Sequence, residues 1–516
     1  MTPTRDLALM RPGGAATGRT KRESDVELLE SVRTFIGSER ANLIGGDWTT
    51  GRDGHFDVEN PATGEILTTV PQAGAADVDD AVAAARDALA GWRAMAPTAR
   101  AQLMWRLGDL IETHADEFAQ LDVLDNGKTY GDAMAVDLPL TIEIFRYYAG
   151  WVTKIEGRQL PVSLPDFHTY TRREPMGVVG AIVPWNFPLL MCGYKLGPAL
   201  AAGNTVVLKP AEQTPLSALR LGELIMEAGF PPGVVNILTG DGPGTGAPLA
   251  AHDGVDKVSF TGDFETGRKI LDASKGNLKR VTLELGGKSP NIVFADADID
   301  AAVEGAFGAV FFNQGQCCIA GARLFAHTDI ADELTARLVE KAGSIHLGNG
   351  LDDGTDMGPL VSQTQLDRVL GHVETARSQG ATVLVGGERG DGALSSGHFI
   401  RPTVLTDVDP TMAVMQDEVF GPVVAVSTFD DESAVVATAN DIRFGLAAGI
   451  WTTDVRRAHR VAAALSAGTV WVNTYGMFDV AAPYGGFKMS GYGRELGEES
   501  LDAYLQSKTV WVNLAE

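Results

Sequence analysis

Five short apolar runs decide the fold: GVVGAIVP (177–184), NTVVLKP (204–210), VVNILTG (234–240), KVSFTG (257–262) and RVTLELGG (280–287). Each is the length of a strand and largely apolar. Between them lie stretches of another period. SALRLGELIMEAG (217–229) and FETGRKILDASK (264–275) carry apolar residues three and four apart, the spacing of a helix with one buried face. Strands alternating with helices across short connections predict a parallel, doubly wound sheet. Such sheets take ligands at the carboxyl ends of their strands.

Working outward, a second alternating block runs from about Asn291 to Asn473. NIVFADADIDAAVEGAFGAVFF (291–312) is a strand and then a helix capped by Asp296 or Asp298. ATVLVGG, FIRPTVLTDV and VVAVSTF are further strands. Upstream, from Val26 to Gly150, helical patterns dominate, with VDDAVAAARDALAGWRAM and AQLMWRLGDLIETHADEFAQL the clearest. RQLPVSLPDFHTYTRREPM (158–176) is polar, β-prone and interrupted by prolines, as an excursion such as a hairpin would be. SKTVWVNL (507–514) is a β-prone tail that needs a partner strand, and another subunit is one source. The expected organisation is an α/β protein: a flexible extension over 1–25, a Rossmann-like dinucleotide unit from 26–157 and 177–286, a catalytic α/β unit over 287–490, and a small β oligomerisation element from 158–176 and 491–516.

Composition fits that plan. At about 150 residues per domain, 516 residues make about three units. A 45% hydrophobic and 21% charged chain is globular. The net charge of −25 argues against a nucleic-acid partner or an anionic membrane surface, both of which need clustered basic residues. No apolar run is long enough for a membrane span, and the N-terminus lacks a secretory signal's apolar core. Three cysteines (Cys192, Cys317 and Cys318) are too few for a disulfide scaffold and suit a reducing cytoplasm. No CxxC or HExxH spacing is present, so no metal site is expected.

Three places carry chemistry. FFNQGQCC (311–318) ends a helix-like run in a Gln-Gly-Gln loop that presents two cysteines. A thiolate attacks carbonyls without strong base help, although free cysteines are more often buried apolar residues. Glu284 closes an apolar strand before two glycines. There it is either a solvated strand end or a general base whose pKa is raised by an apolar site. Asn186, between Trp185 and Phe187, is either a turn residue or a donor to a developing oxyanion.

From about Asn42 to Leu514 the sequence resembles the aldehyde dehydrogenase superfamily. The matching stretches are PWNFPLL, LKPAEQTP, FTGD, LELGGKSP, FFNQGQCC, EVFGPV and PYGGFKMSG, in the family's order. The resemblance implies NAD-dependent oxidation of an aldehyde to a carboxylic acid. Cys318, which precedes the stretch ending in Arg323, would be the nucleophile, Glu284 the base, and Asn186 with the Cys318 N–H the oxyanion hole. Lys195 and Glu495 match proton-relay positions. The tract LTGDGPGTG lacks the GxGxxG spacing, and the family's variant site would use Trp185, Gly242, Gly246, Phe260, Thr261, Gly262, Asp263 and Gly286 around the pyrophosphate. Lys209 and Glu212 would hold the adenosine ribose, and Glu418 and Phe420 the nicotinamide end. Glu212 would repel a 2′-phosphate, which favours NAD over NADP. Asp263 departs from the family's serine; a carboxylate beside a pyrophosphate is repulsive unless it turns away or caps the helix, and NAD binding weaker than the family norm is expected.

The resemblance would line the substrate tunnel with Phe187, Met191, Tyr194, Phe312, Cys317, Ile319, Phe478 and Tyr484. With no Arg or Lys to fork a carboxylate, neutral aliphatic or aromatic aldehydes are favoured. A cationic amino-aldehyde of the betaine-aldehyde kind is the alternative, met by the faces of Tyr194, Tyr475 and Tyr484. A coenzyme A-acylating enzyme or a NAD-independent esterase ranks lower, since the first has no use for Glu284. A homodimer or homotetramer is expected.

Overall fold

The computed structural model describes residues 25–515, so the extension expected over 1–25 lies, but for Asp25, outside the described residues. The five decisive runs become strands Val178–Ile182, Thr205–Lys209, Val235–Ile237, Lys257–Gly262 and Arg280–Leu285. They pair in parallel, in the spatial order third, second, first, fourth, fifth. Every residue of Val178–Ile182 and Thr205–Lys209 is buried, as the unbroken apolar runs require. The order reverses between Val178–Ile182 and Lys257–Gly262. Chains leaving the sheet there go to opposite faces and open a crevice beyond the carboxyl ends.

Three antiparallel strands complete this sheet, and the sequence reading missed them. Asn42–Ile44 and Asp47–Thr49 form a hairpin at one edge. Its turn is Gly45–Gly46, both at positive φ (62° and 92°), the two-residue loop that matches strand twist. A second hairpin, His55–Asn60 with Glu65–Pro71, stands apart as a two-stranded sheet. The segment expected to be helical therefore opens with one short helix, Glu30–Ile36, and then four strands, before helices Ala75–Ala94, Pro97–Thr113, Ala115–Asn126 and Leu138–Trp151. At the other edge Gly491–Tyr492 pairs with Leu283 and Glu284. Residues 491–504 were expected with the oligomerisation element. That placement is corrected: the start of this segment is tied by strand pairing to the first sheet.

The second block forms a seven-stranded sheet, parallel except for the edge strand Thr382–Val385. Its helix Ile299–Phe311 is capped by Asp298, whose Oδ1 accepts from the Ala301 amide at 3.2 Å. Asp296 instead meets Arg457 at 2.6 Å. The tail strand Leu505–Asn513 finds its partner within the chain. It pairs antiparallel with Phe167–Pro175 along its whole length, and Gln159–Leu160 adds a third strand. Among the described residues no helix is long and apolar enough to cross a membrane.

Candidate active site

The crevice is a cavity of about 1340 Å³. Every expected site residue lines it except Lys195 and Gly246. Lys195 stands behind the wall, bonded to Glu495, and Gly246 packs near the Lys209 stem. Three segments leaving carboxyl ends of the first sheet form much of one side: Val183–Phe187, Gly262–Asp263 and Gly286.

Cys318 is delivered by a strained loop. After helix Ile299–Phe311 the backbone turns left-handed at Asn313 (φ 50°), Gln314 (φ 56°) and Gly315 (φ 68°). Such conformations cost about 1–2 kcal/mol per non-glycine residue and must be held by surrounding contacts. Asn313 Nδ2 donates to the Asn186 carbonyl at 2.9 Å, Gln314 Nε2 to the Gly127 carbonyl at 3.0 Å, and Gln316 Oε1 accepts from the Val361 amide at 3.0 Å. A side chain at position 315 would strike the Gly421 carbonyl at 2.2 Å. The loop is thereby tied to the Asn186 turn.

Asn186 is buried, and its Nδ2 donates to the Gln316 carbonyl at 3.0 Å. That fixes the amide and leaves its second N–H for the cavity. Among the described residues nothing accepts from the Cys318 amide. The Asn186 turn is itself held from behind, where Asn126 Nδ2 donates to the Trp185 carbonyl at 2.8 Å. Lys128 Nζ lies 4.5 Å from the Phe187 ring centroid. Neither residue was anticipated, because polar residues at a helix end look solvated until the fold covers them.

Glu284 is 3% exposed, and neither carboxylate oxygen has a hydrogen-bond partner among the described residues. Burial first, and then the nearby Glu495 charge, hold its pKa well above the ordinary carboxylate range, against the pull of Lys195 and Arg494. Lys195 Nζ and Glu495 Oε1 pair at 2.5 Å behind it. Cys318 Sγ is 3.1 Å from the Tyr484 hydroxyl. The bonded Cys317 thiol and burial push the Cys318 thiol up, and Tyr484 pulls the other way.

The other part of the cavity has the features of a nucleotide cradle. Glu418 Oε1 accepts from the Gly287 amide at 3.1 Å, and its carboxylate fills the space a Cβ on Gly286 would need, 1.9 Å away. Burial pushes Glu418 up to about 7. Gln365 Nε2 and a guanidinium N–H of Arg368 hold the neighbouring carbonyls of Phe420 and Glu418 at 2.7 and 3.0 Å. These two were also missed: they reach the site from a helix distant in sequence. Lys209 Nζ pairs with Glu212 Oε2 at 3.2 Å, and a Cβ on Gly242 would meet open space. Asp263 turns into its own helix, its Oδ1 accepting from the Thr266 amide at 3.0 Å. The carboxylate thus caps helix Phe264–Ser274.

Phe187 stacks on Phe312 at 6.1 Å and Phe478 meets Tyr484 edge-on at 5.4 Å, giving an apolar, aromatic approach to Cys318.

Comparison with known proteins shows the family. Residues 48–510 match the model of the Aldehyde dehydrogenase family. The chain is 51% identical over 465 residues to the human mitochondrial aldehyde dehydrogenase, covering 89% of each chain. The NAD+ complex of an aldehyde dehydrogenase from Bacillus cereus is 48% identical, with a TM-score of 0.93 over 95% of this chain and 100% of that one. Betaine aldehyde dehydrogenase from Staphylococcus aureus, also solved with NAD+, is 38% identical, with a TM-score of 0.92 over 95% of this chain and 98% of that one. This chain belongs to the aldehyde dehydrogenase family.

Proposed function

We propose that this chain oxidises neutral aliphatic or aromatic aldehydes to carboxylic acids, with NAD as oxidant, through a thioester on Cys318. The observation that carries the reading is the convergence of Cys318, Asn186 and Glu284 on one cavity whose other part fits a dinucleotide. The first sheet with its preceding helices (26–157 and 177–286) then holds the cofactor, and the block over 287–490 carries the nucleophile.

The Cys318 thiolate attacks the aldehyde carbon, and the new oxyanion is held by the free N–H of Asn186 and the Cys318 amide. A preformed pair of donors costs no reorganisation when charge develops. When bound, NAD would supply the acceptor for the hydride lost from this carbon, and a thioester remains on Cys318. Glu284 then takes a proton from water, which attacks the thioester and releases the acid. A carboxylate whose pKa is lifted by burial is a competent base near neutral pH. The buried Lys195–Glu495 pair would then pass that proton on. Glu418 and Lys209–Glu212 are the groups for the two riboses. Glu212 would repel a 2′-phosphate, favouring NAD over NADP.

The test is NADH absorbance across an aldehyde panel that includes betaine aldehyde, with NADP in parallel. Wild type is expected to turn over neutral aldehydes and Cys318→Ala none. Activity surviving in Cys318→Ala would discard the mechanism, and a preference for the cationic aldehyde would move the substrate class.

A further inference from the structure

The tunnel residue Tyr484 has a second relationship that its place in the sequence did not suggest. Its hydroxyl is 3.1 Å from Cys318 Sγ, the atom that reacts. The phenol is buried, with its ring fixed edge-on against Phe478 at 5.4 Å. Its backbone is clamped to Glu495 by two hydrogen bonds: the Tyr484 amide donates to the Glu495 carbonyl at 2.8 Å, and the Glu495 amide returns the bond at 2.7 Å. The next residue, Gly485, lies directly against the base, since a Cβ there would come within 2.8 Å of Glu284 Oε1. Nucleophile, base and the Lys195–Glu495 pair therefore meet at one short segment, and Tyr484 is the part of it that touches sulfur.

Taking Cys318 as the nucleophile, we propose that Tyr484 is a catalytic residue: its hydroxyl donates a hydrogen bond to the Cys318 thiolate, both before attack and when the thiolate is expelled from the thioester. A phenol is a weaker acid than a thiol, so the shared proton stays on oxygen and the tyrosine is the donor. Burial and the neighbouring Cys318 and Glu284 charges hold the Tyr484 phenol above its ordinary range. The bond opposes the Cys317 contact and the desolvation that raise the Cys318 thiol. In the thioester the sulfur is a poor acceptor and the hydroxyl is released. During hydrolysis the C–O bond forms and the C–S bond breaks. Its electron pair goes to sulfur, and the hydroxyl is already placed to meet that charge without giving up its proton.

The deciding test needs neither substrate nor cofactor. Alkylation of Cys318 by iodoacetamide, located by mass spectrometry, is followed against pH in wild type, Tyr484→Phe and Tyr194→Phe, the last removing another tunnel phenol. Tyr484→Phe is expected to move the half-maximal pH of alkylation upward by about one unit, with Tyr194→Phe close to wild type. In turnover, Tyr484→Phe is expected to give a burst of NADH followed by a slowed steady state. Unchanged alkylation in Tyr484→Phe, or an equal shift in both variants, overturns the role of Tyr484. It leaves the dehydrogenase reading intact, because that reading falls only with activity in Cys318→Ala.

Discussion

Lys195 and Glu495 are 300 residues apart in sequence and pair at 2.5 Å with side chains 1% and 3% exposed. A buried pair of this kind gives little net stability, but breaking it costs about 3–5 kcal/mol because one charge is left stranded. Its position behind Glu284 gives it a more direct effect. Glu495 raises the Glu284 pKa and Lys195 lowers it. Replacing Glu495 by Gln removes the first influence and frees the second, and both push Glu284 down. The acid limb of the kcat–pH profile is expected to move to lower pH by about one unit, measured under saturating aldehyde and NAD. A limb that stays put would remove Glu495 from the environment of the base.

Glu284 itself carries a cost. An unfolded-chain glutamate ionises near about 4.3, whereas in the fold burial keeps the proton on to higher pH. Between those values the folded state binds more protons than the unfolded one, so this group's contribution to stability falls as pH rises. Glu284→Gln is expected to raise Tm relative to wild type, by about 2 °C or more at pH 8 and by little at pH 5. The same variant should release one equivalent of NADH and then stall, which rapid mixing would detect.

Asn186 has one amide hydrogen committed to Gln316 and one left over. Asn186→Ala is expected to lower kcat about 100- to 1000-fold, the usual loss for one oxyanion donor, with NAD affinity unchanged in a fluorescence titration. A loss of NAD binding as large as the loss of kcat would mean that the residue only shapes the turn.

Asp263 caps its helix, which answers the question of where its carboxylate goes, yet it keeps a negative charge at the helix end. Serine caps as well without the charge. Asp263→Ser is expected to tighten NAD binding about threefold at low salt, with a smaller difference at high salt. Equal affinities at low salt would show that the capped carboxylate is invisible to the cofactor.

The tail strand is satisfied along one edge by Phe167–Pro175, yet Trp511 and Leu514 remain 51% and 62% exposed. Sedimentation of the full chain is expected to give a dimer or tetramer, and truncation before Leu505 a smaller species. A monomeric full chain would end the assembly role proposed for this sheet.

The sequence by itself determined the alternation of strands and helices, because largely apolar runs of strand length alternate with stretches whose apolar residues recur three and four apart. It also determined Cys318, Glu284 and Asn186 as candidates, since each sits where an apolar run gives way to a turn. The Gly45–Gly46 hairpin was legible too, but lay among stronger helical periods and was passed over. What only the tertiary structure decided was pairing across distance. Gly491 lies beside Glu284, the tail pairs with residue 167 onward, and Asn126 reaches the Trp185 carbonyl. Tyr484 meets the sulfur in the same way. A side chain's period shows which face it turns to the core, but which partner waits there depends on how the sheets close, and no local pattern encodes that.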